Sequence, residues 1–159
     1  MLALFIPVFW FACGSEETPK ESESEVPAKK ETPSSIAEGK GVGEITNVDL
    51  GDGINQDMVV RGKPIYDMKC SACHKLDGKR VVGPGFEGVT NRRRPEWVMN
   101  MITNVSVMLD EDPTAQALLE ECLTRMPNQN VSVSEARDIL EFFRNNDEER
   151  LKLRDQAVK

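Results

Sequence analysis

Three side chains with reactive or ligating groups stand within five residues of one another, in the run Cys70-Ser71-Ala72-Cys73-His74. Two thiols at this spacing lie on one helical turn, so each can add across one vinyl group of a haem, and the adjacent imidazole can then coordinate the iron as proximal ligand. His74 is the only histidine among 159 residues. The sequence therefore predicts one covalently attached haem c whose iron has a single histidine ligand.

Two other kinds of site use similar residues. A tetrahedral zinc site needs four donors, usually as two pairs; Cys70, Cys73 and His74 leave one place to fill, and Cys122 stands alone with no partner. A thioredoxin-like redox pair would follow a strand in a βαβ pattern, and no such pattern is visible here. Haem attachment is therefore the preferred interpretation over zinc binding and thiol–disulfide chemistry.

The chain begins with an apolar stretch that indicates export. Residues 1–12 are uncharged and too few to span about 30 Å of hydrocarbon, but they suit the apolar region of a secretory signal. The following Ala12-Cys13-Gly14 resembles the lipobox of bacterial lipoproteins, which implies a lipid on Cys13. We expect an exported protein, lipid-anchored to a bacterial membrane and facing the periplasm or the cell exterior; an ordinary signal peptide with no role for Cys13 is the alternative.

Composition then divides the rest of the chain. After Cys13 come residues rich in Ser, Pro and Thr, with six glutamates against three lysines, which cannot bury enough apolar surface to fold and predict a disordered acidic tether. A glycine-rich lead-in of unassigned role follows. The predicted organisation is a signal with lipobox-like cysteine (1–13), the tether (14–35), the lead-in (36–54), a folded domain (55–146) and a charged helical extension or tail (147–159).

Helical periodicity runs through the folded domain. A first helix is predicted from Asn55 to Lys69, where Gly62 would allow another backbone to approach closely. A last helix is predicted from Ser134 to about Asn145, preceded by a capping box at Ser132. Because no alternating strand pattern is found, the fold class is all-α.

Two further helices are expected between these. One spans Pro95–Thr103, with proline in its first turn, and the other begins after an N-cap at Asp112. Cys122 lies on the apolar face of the second, so we interpret it as a buried, inert core thiol.

These features together resemble class I monohaem cytochromes c. The resemblance covers roughly residues 62–144 and depends on the haem motif, the glycine–proline loop that contains Pro84, the Trp97 helix, the Met126-Pro127 loop and the two crossed terminal helices. It implies a class I cytochrome c fold, a few helices wrapped around one covalent haem c, and the role of an electron carrier that is not an enzyme.

The resemblance also implies roles for individual residues. The carbonyl of Pro84 would accept a hydrogen bond from the second ring nitrogen of His74 and so fix the imidazole. Met126, in a loop before a capped helix, would provide the sixth iron ligand, a thioether that raises the potential. Trp97 would lie against the haem, with its indole N–H directed at a propionate or simply within the core, and Arg93 would pair with a propionate.

Partners follow from this identification. We expect a donor and an acceptor among redox proteins of the respiratory chain, a membrane contact through Cys13, and neither nucleic acid nor a small-molecule substrate. The runs around Arg93–Met101 and Thr124–Asn130 are similar to cytochromes that serve bacterial respiratory reductases, such as nitrous-oxide reductase, although a terminal oxidase would fit as well. The alternatives are a gas-binding or sensing protein with an open sixth site and, less favoured without a second histidine, a peroxidase.

Overall fold

The computed structural model describes residues 33–152, which form seven helices and, within that range, no strand beyond an isolated bridge between His74 and Arg80. The signal, Cys13, most of the tether and the last seven residues lie outside the described residues. Of the helices in 33–152, none has the length and apolar character to cross a bilayer. The helices are α1 (Ser34–Ala37), α2 (Gln56–Lys69), α3 (Val89–Arg92), α4 (Pro95–Thr103), α5 (Val105–Glu111), α6 (Pro113–Cys122) and α7 (Val133–Leu151).

Helices α2 and α7 cross at Gly62, as the sequence predicts. A β-carbon at this position would lie 2.2 Å from the carbonyl oxygen of Asp138, so only glycine lets the two backbones approach this closely. Beside the crossing, the guanidinium of Arg61 donates to both carboxylate oxygens of Asp138, at 3.0 and 2.7 Å. This crossing joins the helix that leads into the haem motif to the helix that closes the domain.

The predicted helix starts are confirmed by their caps. Asn55 accepts the N–H of Met58 at 3.1 Å, Asp112 accepts the N–H of Ala115 at 2.8 Å, and Ser132 forms a full capping box with Glu135. Helix α7, however, continues to Leu151 instead of ending near Asn145. It continues because its polar last turns still have partners on the domain: Asn146 and Asp147 are buried, and Arg150 pairs with Glu87 at 3.6 Å.

The lead-in is an integral part of the domain. Its residues 38–54, called the strap below, lie along α4 and α5. The Asn100 amide accepts the N–H of Ile45 at 3.2 Å and donates to the carbonyls of Lys40 and Ile45. Asn104 donates to the carbonyl of Val42. Side chains of the helices therefore provide the hydrogen bonds that the strap, which has no regular secondary structure, cannot make with itself.

The second half of the strap is held by α4 and α7. Glu96 accepts the N–H of Val48 at 3.2 Å, and Arg144 donates to the carbonyl of Leu50 at 3.2 Å. Arg144 also pairs with Glu141, and both side chains are almost fully buried. Ile45 and Leu50 add their apolar side chains to the core, so the strap contributes to the stability of the domain through burial as well as hydrogen bonding.

Candidate haem site

His74 lies five residues after the end of α2, and its ring is held on several sides. Its Nδ1 lies 2.9 Å from the carbonyl oxygen of Pro84, and the ring of Phe86 stacks on it with centroids 4.5 Å apart. Gly83 lies so close that a β-carbon there would be 2.2 Å from Cε1 of the imidazole. Tyr66 donates to the backbone carbonyl of His74 at 2.8 Å. Since Nδ1 is the donor to Pro84, Nε2 is the nitrogen with a free lone pair.

Burial adjusts the protonation of this motif. It lowers the pKa of His74, although the hydrogen bond to Pro84 opposes the shift, and so favours the neutral imidazole that can bind a metal. Burial also raises the pKa of the Cys70 thiol to about 11. Cys73 is half-buried, and a turn in which its N–H and that of His74 both donate to the carbonyl of Cys70 holds the three residues together.

A cavity of about 500 Å³ opens beside this motif. Its wall is mostly apolar, as suits a hydrophobic macrocycle, with few polar groups at fixed positions. Cys73 and His74 lie on it, and so does Met126 from the loop before α7. The Cys73 thiol, a neutral imidazole and a thioether on this wall fit a haem c, whereas the second thiol, Cys70, is buried beside the cavity and does not line it. Other lining residues include Val82, Gly83, Pro84, Phe86, Val89, Trp97, Val98, Ile102, Leu109, Leu118, Leu119 and Phe143.

The structure reduces the number of methionines that can serve the cavity. Met99 and Met108 are buried in the core, and Met68 is 78% exposed on α2. Only Met101 and Met126 line the cavity among the methionines of residues 33–152. Met101 lies within helix α4, whereas Met126 lies in a loop, whose backbone is not restricted to helical dihedral angles.

Trp97 lines the cavity as expected, but its indole N–H donates to the Asp112 carboxylate at 3.1 Å and is not directed at a propionate. Of the two positions expected for the indole N–H, a bond within the core is the one found. The physical reason is that Asp112, besides capping α6, is buried and places a carboxylate oxygen within reach of the indole. The guanidinium of Arg93 lies 5.2 Å from the Trp97 ring and also lines the cavity, while its pairing with a propionate stays a prediction.

Cys122 is not the buried core thiol that the sequence predicts. It is half-buried and lines the cavity at the end of α6. The helix ends there with Leu123 in a left-handed conformation, so the apolar face of α6 borders the cavity instead of packed core. Sequence reasoning also missed the contacts that Gly83, noted only as part of the glycine–proline loop, and Phe86 make with the imidazole. Their signal was their position beside Pro84, in a loop that must fold back on the histidine.

Comparisons with known proteins identify the family to which the chain belongs. The family described as Cytochrome c matches residues 59–147, whereas no curated protein matches. A cytochrome c from Rhodothermus marinus is 33% identical, over 74% of this chain and 98% of its own, with a TM-score of 0.68. An engineered form of it bound to a carbene intermediate is 34% identical, over 73% and 98%, with a TM-score of 0.64.

A cytochrome c domain from Pseudomonas putida shares the fold at 21% identity, over 62% of this chain and 99% of its own, with a TM-score of 0.50. The all-α class I cytochrome c fold is thus confirmed, as is haem c as the cofactor. With more than half of its length matched by the family, this chain belongs to the cytochrome c family.

Proposed function

We propose that the chain is a membrane-tethered monohaem class I cytochrome c that carries single electrons between respiratory partners outside the cytoplasm. The observation that carries the proposal is one apolar cavity lined by both His74 and Met126. Bound haem supplies a one-electron ferric–ferrous couple. Because an imidazole and a thioether would occupy both remaining coordination positions of the iron, no position would be left for a substrate. This suits an electron carrier.

Each residue of the site has a defined task in this proposal. Cys70 and Cys73 would form the thioether bonds to the haem, and His74 and Met126 would coordinate its iron. The hydrogen bond from Nδ1 to Pro84 orients the imidazole and increases its basicity. The apolar wall excludes water, which keeps the charge change on electron transfer in a low-dielectric surrounding, and Arg93 offers a cation for a propionate at the Trp97 side.

An apolar surface beside the cavity supports contact with a redox partner. Val81 and Val82 are 53% and 44% exposed, and Leu123 is 88% exposed. Arg80 holds their segments together, since it donates to the backbone carbonyl of Glu121 at 2.7 Å and to its carboxylate at 2.6 Å. Val82 itself lines the cavity, so a protein that docks on this surface would be close to the haem.

The finer parts of the proposal rest on the sequence alone. The lipobox-like Cys13 supports a lipid anchor and an exported location, and the acidic tether would let the domain move over the membrane surface. Resemblance of the segments around Trp97 and Met126 supports a respiratory reductase, such as nitrous-oxide reductase, as electron acceptor.

Absorption spectra of the holoprotein test the proposed ligands. The ferric protein should show the weak far-red band of iron–methionine coordination, and the reduced protein should not bind carbon monoxide readily. Met126→Ala should remove the band, allow carbon monoxide to bind and lower the potential, whereas Met101→Leu, on the same cavity, should leave all three unchanged. A wild-type protein that lacks the band and binds carbon monoxide would favour the gas-binding alternative.

The anchor has its own experiment. Cells that express the full chain should incorporate labelled fatty acid into it, and Cys13→Ser should abolish the label and release the haem-bearing domain from membranes. An unlabelled wild-type chain would contradict the lipid anchor while leaving the electron-carrier proposal intact.

A further inference from the structure

The last turns of α7 carry two buried polar residues for which the proposed haem site has no use. Asp147 is 2% exposed and Asn146 is 7% exposed, although they lie in the run Asn145–Arg150, which reads as a solvated helix end. Buried polar groups of this kind are costly unless they are hydrogen-bonded, so their partners indicate what they hold in place.

Asp147 holds the start of α3. Its carboxylate accepts the N–H of Gly88 at 2.7 Å, the N–H of Thr90 at 3.0 Å and the hydroxyl of Thr90 at 2.8 Å. Gly88 has no side chain to cap α3 and adopts a φ of +68°, so a carboxylate from another helix takes the part of the missing cap. All three groups are donors, which suits an ionised carboxylate.

Asn146 holds the opposite end of the same stretch. Its amide nitrogen donates to the carbonyl of Leu76 at 3.2 Å, two residues after His74. Between the two contacts runs the loop of residues 76–88, which contains Gly83 and Pro84. Neighbouring residues of α7 therefore fix both ends of the loop that contacts the His74 ring.

We propose that Asn146 and Asp147 are positioning residues for the axial histidine: by holding both ends of the loop 76–88, they keep the Pro84 carbonyl on Nδ1 of His74. The inference rests on the proposed function, because it takes His74 as the iron ligand. The loop has its own contacts near the motif, where Gly83 donates to the carbonyl of Cys73 at 3.0 Å and Phe86 donates to that of Lys75 at 2.8 Å. Helix α7 adds the restraint that these local bonds lack, since it belongs to the rigid part of the fold.

The experiment measures how often the hydrogen bond between His74 and Pro84 opens. In the reduced holoprotein, the exchange rate of the Nδ1 proton with solvent is followed by NMR, together with the reduction potential. Asn146→Ala and Asp147→Asn should each speed this exchange about tenfold, because the restrained loop opens more often. Both should also raise the potential, since a weaker bond to Pro84 makes the imidazole less basic and stabilises ferric iron less.

Control variants distinguish a positioning role for these residues from the effects of a lost charge or of lower overall stability. Glu148→Gln removes one negative charge from the exposed side of the same turn and should change neither exchange nor potential. Asn146→Ala changes no charge, and Thr90→Val removes only the hydroxyl donor, so both remain informative if Asp147→Asn fails to fold. Unchanged exchange and potential in Asn146→Ala and Thr90→Val, with only a lower melting temperature, would overturn the inference. Failure of the proposed function would instead appear in the wild-type spectrum.

Discussion

The backbone N–H of Val42 donates to the sulfur of Met108 at 3.0 Å, and the Met108 side chain has no solvent exposure. Of the seven methionines, Met108 thus accepts a hydrogen bond from the strap, and we do not expect its sulfur to bind the iron. A thioether is a weak acceptor, and it serves here because the glycine at position 41 brings the strap against Met108: a β-carbon at Gly41 would lie 2.7 Å from the sulfur.

Met108→Leu should therefore destabilise the domain without changing the haem spectrum. Leucine fills nearly the same volume but leaves the Val42 N–H without its acceptor, at a cost of about 1–3 kcal/mol. Chemical denaturation of the holoprotein measures the loss, and the exposed Met68→Leu is the control that should change nothing. Loss of the far-red band in Met108→Leu would mean that this sulfur, and not that of Met126, binds the iron.

Gly62→Ala should be poorly tolerated. Its new methyl group would meet the carbonyl of Asp138, and both atoms belong to helix backbones that cannot move without separating α2 from α7. Overpacking of this kind costs about 1–3 kcal/mol or more, which exceeds the higher helix propensity of alanine. Gly53→Ala, with no atom within 4 Å of the added carbon, should leave the denaturation midpoint near that of the wild type.

Gly83→Ala should alter the haem environment more than the stability. The methyl group would overlap the His74 ring, so either the imidazole turns or the loop moves away and lengthens the bond to Pro84. We expect a shifted reduction potential and a changed spectrum. Gly78→Ala, whose nearest neighbour is a carboxylate oxygen at 4.0 Å, is the matched control in the same loop. Identical potentials for the two variants would argue against close contact between Gly83 and the ligand.

The capping box of α7 should make stability depend on pH. Hydrogen bonds from the backbone N–H and then the hydroxyl of Ser132 lower the pKa of Glu135 below its ordinary 4.5. Since the folded pKa is the lower one, the stabilisation is present above pH 4.5 and disappears as the pH falls through the folded value.

Denaturation curves of the wild type and Glu135→Gln should therefore converge in acid and separate towards neutral pH. Ser132→Ala removes the hydroxyl cap and should cost about 1 kcal/mol at neutral pH. A constant difference between wild type and Glu135→Gln across the acid range would show that Glu135 does not contribute through its charge.

The elements predicted correctly are those whose signals are local. The haem motif is five consecutive residues, and the caps at Asp112 and Ser132 each act on the residue three positions further on, so sequence alone places them. The crossing at Gly62 could also be predicted from the sequence. Glycine within a helix makes that helix less stable than alanine would, and it is tolerated where a second backbone must come close.

The remaining features depend on residues far apart in the chain. The strap has no periodicity, and its partner Asn100 is 55 residues from Ile45, so nothing in residues 38–54 by themselves indicates the packing. The bond from Trp97 to Asp112 and the burial of Asp147 likewise exist only once helices have docked. Polar residues in the last turns of α7 looked like a solvated end because their partners lie on a loop almost 60 positions earlier.

Helix α7 contacts α2, α3 and α4, and its Arg144 reaches the strap, so several elements beside the cavity depend on one helix. Melting of α7 would therefore open the cofactor pocket as well. We expect a single cooperative transition in which visible absorption and far-ultraviolet circular dichroism change together on heating.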